Sequence, residues 1–186
     1  MLIPITDKVE LASVRRFKVG LVEEPAHLNM NWVAGERWTV VPVESRGHFR
    51  DADARCLSQA FSAIHCGQVF ALATEDLTEV SVSGEKIGVL RPDFLVETSE
   101  QGLLEFSAAC APFNFVLVPG NRAVVVLCTV YDYYLVAGPA DFVRLGVGGD
   151  TAAAWLRFEE CADDPVWEGR LLEIVERYRD IKPPVS

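Results

Sequence analysis

Between Phe113 and Ala137 three apolar runs follow one another with only turn residues between them: Phe113 to Val118, Ala123 to Thr129 and Tyr133 to Ala137. Pro119-Gly120-Asn121 separates the first two, and Tyr131-Asp132 the second from the third. Connections this short join antiparallel neighbours, because a parallel pair needs a crossover of about a dozen residues or more. The pattern predicts an antiparallel meander over 113–137. Alternation sends Tyr133 and Tyr134 to opposite faces, so at least one of them should meet the core. With helical segments before and after it, the meander makes the fold class α+β, with a mainly antiparallel sheet. The chain of 186 residues, 50% of them hydrophobic, can bury roughly 70% of its unfolded surface without a disulfide or a metal to hold it. No Ser/Gly-rich linker divides it, so residues 1–186 are read as a single domain.

Five helices are expected around the sheet. Leu57, Ala60, Phe61 and Ile64 follow an i, i+3, i+4, i+7 spacing after Asp51 and predict a helix over 52–65 closed by Gly67. Gln68 to Thr74 follows as a short strand. Ser99 is an N-cap for a helix over 99–111 that Pro112 should stop. Gly138-Pro139 opens a short helix over 139–145, and Asp150 or Thr151 caps another over 151–160. The last, over 166–180, starts at Asp164-Pro165 and aligns Leu171, Ile174, Val175 and Tyr178, with Glu173 and Arg177 as an i, i+4 pair on its wet side. All five are expected on one face of the sheet. Residues 1–50 read as strands and loops: Leu2 to Ile5, Ser13 to Val22 and Arg37 to Val43 are rich in β-branched and aromatic residues, broken by Glu24-Pro25 and Ala34-Gly35. Residues 75–98 are ambiguous, with Thr78 to Ser83 strand-like and Pro92 ending what precedes it. The tail, 182–186, should fray.

One echo runs through the chain. Phe61-Ser62-Ala63 is followed by Phe70-Ala71-Leu72, and Phe106-Ser107-Ala108 by Phe115-Val116-Leu117, with the two phenylalanines nine residues apart in each case. Each half reads helix, tight turn, strand. Either a duplicated, pseudo-symmetric unit or two unrelated units would produce it.

Charge removes several functions. Seventeen Lys+Arg against 27 Asp+Glu leave a net charge of -10, which repels nucleic-acid phosphates and anionic lipid. The acidity concentrates in residues 51–110, where ten acids face three bases. The longest strongly apolar stretch, Ala123 to Val130, is far short of the roughly 20 residues a membrane helix needs. Met1 to Glu10 lacks the basic and apolar regions of a secretory signal. The five cysteines are odd in number and contain no CxxC pair, as suits a reduced thiol in a core; the chain is expected in the cytoplasm.

His65-Cys66 between the first helix and its strand could form an activated thiol, yet sequence neighbours at a helix end usually point apart, and His27 and His48 lie in no motif. Gly146-Val147-Gly148-Gly149 resembles a phosphate loop but lacks the preceding strand and the Lys-Ser/Thr, and Asp150 places negative charge at the anion position. Neither the three histidines and five cysteines nor the acidic turn Glu159, Glu160, Asp163 and Asp164 has metal-ligand spacing, so no metal or cofactor is expected. That acidic turn, with Tyr131, Asp132 and Trp167, is instead the candidate docking surface for a basic protein partner, helped by Asp51, Asp53, Glu75, Asp76 and Glu79. Complementary charge speeds encounter, and aromatics anchor interfaces. The expected role is therefore that of a non-enzymatic binding protein, in the manner of an immunity or inhibitor protein neutralising a basic toxin or nuclease. The alternatives are a small enzyme built on Cys66 and a histidine, or a self-assembling component that forms a homo-oligomer.

Overall fold

A computed structural model describes residues 2–75, 77–82, 85–90, 93–111, 113–167 and 169–181, with the backbone alone over 77–82 and 85–90. The chain runs β1 (Leu2–Pro4), α1 (Lys8–Leu21), β2 (Val22–Glu24), β3 (His27–Leu28), α2 (Met30–Gly35), β4 (Thr39–Glu44), α3 (Asp51–Ala63), β5 (Gln68–Ala73), β6 (Leu77–Val82), β7 (Glu85–Leu90) and β8 (Phe94–Glu97). It continues through α4 (Glu100–Cys110), β9 (Phe115–Pro119), β10 (Val125–Cys128), β11 (Tyr133–Gly138), α5 (Ala140–Gly146), α6 (Thr151–Ala162) and α7 (Arg170–Tyr178). The fold is α+β. Seven strands form one antiparallel sheet in the order β1-β8-β5-β9-β10-β11-β4, while β2-β3 and β6-β7 make separate hairpins. The expected roles of Pro92, Pro112 and the 182–186 tail, and the end of the strand at Ser83, lie outside the described residues.

The meander forms as its sequence predicts. Cys128 of β10 faces Phe115 on β9 and Tyr134 on β11. Gly138 leaves β11 at φ +156°, where a Cβ would come within 2.9 Å of Val124 Cγ1, so the strand can turn into α5 only with glycine there. At the sheet's β4 edge, the Trp155 indole of α6 donates to the Val40 carbonyl at 3.2 Å, and this helix covers what would otherwise be an open row of backbone groups.

Helices cover both faces of the sheet, not one. Tyr133 and Tyr134 are each about fully buried, at 2% and 1% exposure. On the Tyr134 side, α3 packs between α4 and α5, and rings meet in sequence: Phe49 edge-on to Tyr134 at 5.3 Å, Phe106 edge-on to Phe115 at 5.6 Å, and His48 stacked on Phe106 at 5.4 Å. On the Tyr133 side, the Tyr133 hydroxyl donates to the Ala26 carbonyl at 2.9 Å, and the Tyr178 hydroxyl of α7 accepts from Leu28 N–H at 2.9 Å. The physical reason was in the strands themselves, since unbroken apolar runs suit a sheet covered on both faces whereas a half-exposed strand alternates.

The N-terminal part also differs from its reading. Ser13 to Val22 is not a strand; it lies mostly in α1, which Asp7 caps by accepting from Val9 N–H at 2.8 Å and Glu10 N–H at 3.0 Å. Val14 and Leu21 are its buried residues, seven apart on one face, and burial of that face overrides the strand propensity of its valines. α2 is a second helix there, capped by Asn29. The regions around Leu2 and Arg37 do form β1 and β4.

The internal echo has a spatial counterpart. β5 and β9 are antiparallel neighbours at the middle of the sheet, with Phe70 opposite Val118 and Phe115 opposite Ala73. Each is preceded by a helix, α3 or α4, and those helices pack together. Each is flanked outward by the next sheet strand in sequence, β8 or β10. The two units are thus arranged about a pseudo-twofold axis between β5 and β9.

Candidate functional site

The site is organised by α7. The last helix begins later than its sequence suggests: Pro165–Trp167 is a 3-10 turn, Gly169 takes φ +77°, and α7 starts at Arg170. The left-handed glycine resets the chain direction, after which Leu171, Ile174, Val175 and Tyr178 are buried as a single stripe. The expected Glu173–Arg177 pair does not form. Arg177 Nη2 instead reaches Glu23 at the start of the chain, at 2.7 Å, and among the described residues Glu173 has no ion pair.

Two grooves flank this helix. The first, between α6 and α7, has a volume of about 320 Å³ and is lined by Glu159, Glu160, Asp163 and Arg179 around Leu156, Leu172 and Val175. Leu156 and Leu172 are 55% and 39% exposed. The second, about 230 Å³, lies between α7, the Glu24–His27 turn and the turn before β11. Its floor is Leu171, Ile174 and Tyr133, all buried, and Tyr131 at its rim is 47% exposed. Burial raises the Tyr133 phenol far above its ordinary range and the Tyr178 phenol to about 12, so both hydroxyls stay protonated.

The predicted docking residues divide around α7. Glu159, Glu160 and Asp163 come together in the first groove, and Tyr131 stands over the second. Asp132, at φ +63°, turns the chain there, its carbonyl accepting from Ser45 N–H at 2.9 Å. Asp164 and Trp167 build the turn that leads into α7. Asp164 Oδ1 accepts from Val166 N–H at 3.0 Å, and the Trp167 carbonyl accepts from Arg170 Nε at 3.3 Å. Asp51 and Asp53 sit on α3, where Asp53 Oδ2 accepts from Arg50 N–H; Asp76 and the Glu79 side chain lie outside the described residues. Sequence reasoning missed Leu156, Leu172, Glu24 and His27. The leucines' spacing marks a helix but not which helix will stand beside it.

The thiol candidates show no activation. His65 sits at φ +54°, and the Cys66 thiol donates to the Gln68 carbonyl at 3.1 Å. Burial raises its pKa, more than the Gln68 backbone lowers it, which disfavours the thiolate a nucleophile needs. Burial likewise raises Cys56 and Cys161, which line a cleft of about 360 Å³ between α3 and α6. In that cleft Arg50 bridges Asp53 at 3.1 Å and Glu44 at 3.4 Å, so these charges are paired with one another. The Gly148 and Gly149 N–H groups donate to Leu145 and Arg144 carbonyls, which withdraws them from any phosphate. Among the described residues no group of three His, Cys, Asp or Glu is placed to hold a metal ion, and no helix is long and apolar enough to cross a membrane.

No protein-family model matches the chain, and no curated protein or solved structure is significantly similar to it.

Proposed function

We propose that this chain is a non-enzymatic, acidic binding domain of the cytoplasm that holds a basic protein partner, an immunity or inhibitor protein against a basic toxin or nuclease being the form that best suits its charge. The observation that carries this is the α6–α7 groove, where three carboxylates surround two exposed leucines. Exposed apolar area framed chiefly by carboxylates, with Arg179 as the cation of the lining, is the composition of an interface centre with a steering rim. The whole-chain charge of -10 extends that steering beyond the groove. Five free cysteines, among them buried Cys110 and Cys128, suit a reducing compartment.

The test is affinity capture of the tagged protein from its source lysate at low and at moderate salt, with mass-spectrometric identification. A stoichiometric basic protein that is lost as salt rises is the expected result, since exposed charge pairs are screened over about 10 Å at 0.1 M. Recovery of the tagged protein alone, or of a partner indifferent to salt, contradicts the proposal.

A further inference from the structure

The second groove carries a more specific inference, which rests on the reading of a basic protein partner and names the residue type that partner inserts. We infer that the cleft beneath Tyr131 is a receptor for one arginine side chain of the partner.

Three observations converge on it. The first is size: about 230 Å³ is below the roughly 300 Å³ at which pockets begin to house drug-sized molecules, and is room for one long side chain. The second is layering. Leu171, Ile174 and Tyr133 make an apolar floor, while the charged and aromatic groups stand at the rim. A side chain with an apolar stem and a charged head matches that order. The third is the released carboxylate. Arg177 is drawn to Glu23 across the fold, so Glu173 loses its expected helical partner and lines the cleft with Glu24. Glu24 is held by His27 Nδ1 at 2.8 Å, which fixes one wall. Arg170, the cation of the lining, turns its Nε to the Trp167 carbonyl.

Arginine fits this better than lysine. A planar guanidinium forks onto a carboxylate and lies against an aromatic ring with a smaller desolvation penalty than an ammonium. Tyr131, exposed at the rim, supplies the ring, and Glu173 the carboxylate. An apolar occupant would fill the floor but leave Glu173, which forms no ion pair among the described residues, without one.

The experiment uses Nα-acetyl-arginine amide as the probe, titrated into the full chain and followed by amide chemical shifts. Saturable shifts are expected at Ala26, His27, Tyr131 and Leu171, with millimolar affinity. The lysine analogue should bind more weakly and the uncharged citrulline analogue weaker still. Tyr131→Ala and Glu173→Gln should each reduce arginine-amide affinity roughly three-fold; both residues are exposed, and spectra unchanged elsewhere verify the fold. The inference is overturned by no saturable shift, by citrulline or a leucine amide binding equally well, or by indifference to both substitutions. Failure of the pocket and failure of the underlying reading separate cleanly. A basic partner captured equally by the Tyr131→Ala/Glu173→Gln double variant removes the pocket alone. Arginine amide bound in the cleft, with no basic protein captured, removes the partner.

Discussion

The two faces of the sheet are finished differently. On the Tyr134 side, α3, α4 and α5 cover the strands with rings in contact, His48, Phe49, Phe106 and Phe115 are all buried, and the cleft of about 360 Å³ that reaches Tyr134 between α3 and α6 is lined by the mutually paired Arg50, Asp53 and Glu44. On the Tyr133 side, α7 spans only part of its surroundings and leaves a groove along each flank, one rimmed by carboxylates and one by Tyr131. Both faces rest on equally apolar strands, so the difference lies in the covering layer. One layer spends its apolar surface on the core. The other keeps leucines and a tyrosine at solvent, where they are free to meet another molecule.

That contrast can be broken most directly by truncation. Phe106→Ala should cost about 3–5 kcal/mol, as large-to-small changes of buried aromatics do, whereas Leu172→Ala and Tyr131→Ala should each stay within about 1 kcal/mol. Urea midpoints of the three variants decide it. Equal losses would mean that the α7 flank is part of the core.

Acid probes the sealed face next. His48 is fully buried, its Nε2 lies 2.9 Å from the Cys110 carbonyl, and among the described residues its Nδ1 has no side-chain hydrogen-bond partner within bonding distance. Desolvation lowers its pKa from 6.5 to about 4. Between those values the unfolded chain takes up a proton that the folded chain refuses, so stability falls as pH falls through that window. At 1.36 kcal/mol per pH unit the loss approaches about 3 kcal/mol near pH 4, and this contribution is flat above pH 7. Carboxylates add their own slope, so the measurement is the difference in pH dependence between the native protein and His48→Gln. Identical slopes would show that His48 does not titrate with folding.

A smaller effect sharpens the same face. Gly102 lets α4 pass directly over the end of β8, where a Cβ would collide with the Glu97 carbonyl. Gly102→Ala should cost about 1–3 kcal/mol by overpacking, against the gain in helix propensity that alanine brings elsewhere in a helix. A higher melting temperature would contradict the tight approach.

Much of the sealed face was legible in the sequence because its signals are local. The 113–137 meander is punctuated by its own turns, and α3 by the spacing of Leu57, Ala60, Phe61 and Ile64. α1 hid behind its valines, although Asp7 and the interval from Val14 to Leu21 mark it. Cover on both faces was also readable, in strands that do not alternate. The α7 flank was legible only as charge. Glu159, Glu160 and Asp163 are close in sequence, but their groove exists because Gly169 redirects the chain and sets Leu172 near Leu156. The release of Glu173 depends on a contact between Arg177 and Glu23, 154 residues apart, and no helical spacing reports that.

The central claim, that recognition belongs to the α7 flank and not to the sealed face, is tested most directly by paired charge reversal. One variant carries Glu159→Lys, Glu160→Lys and Asp163→Lys in the α6–α7 groove. The other carries Asp51→Lys, Glu100→Lys and Glu105→Lys on α3 and α4, so that net charge changes equally. Capture of the basic partner at low salt should be abolished in the first variant and retained in the second. Equal loss from both would reduce the interaction to net charge, and loss from the second alone would place the binding surface on the opposite face.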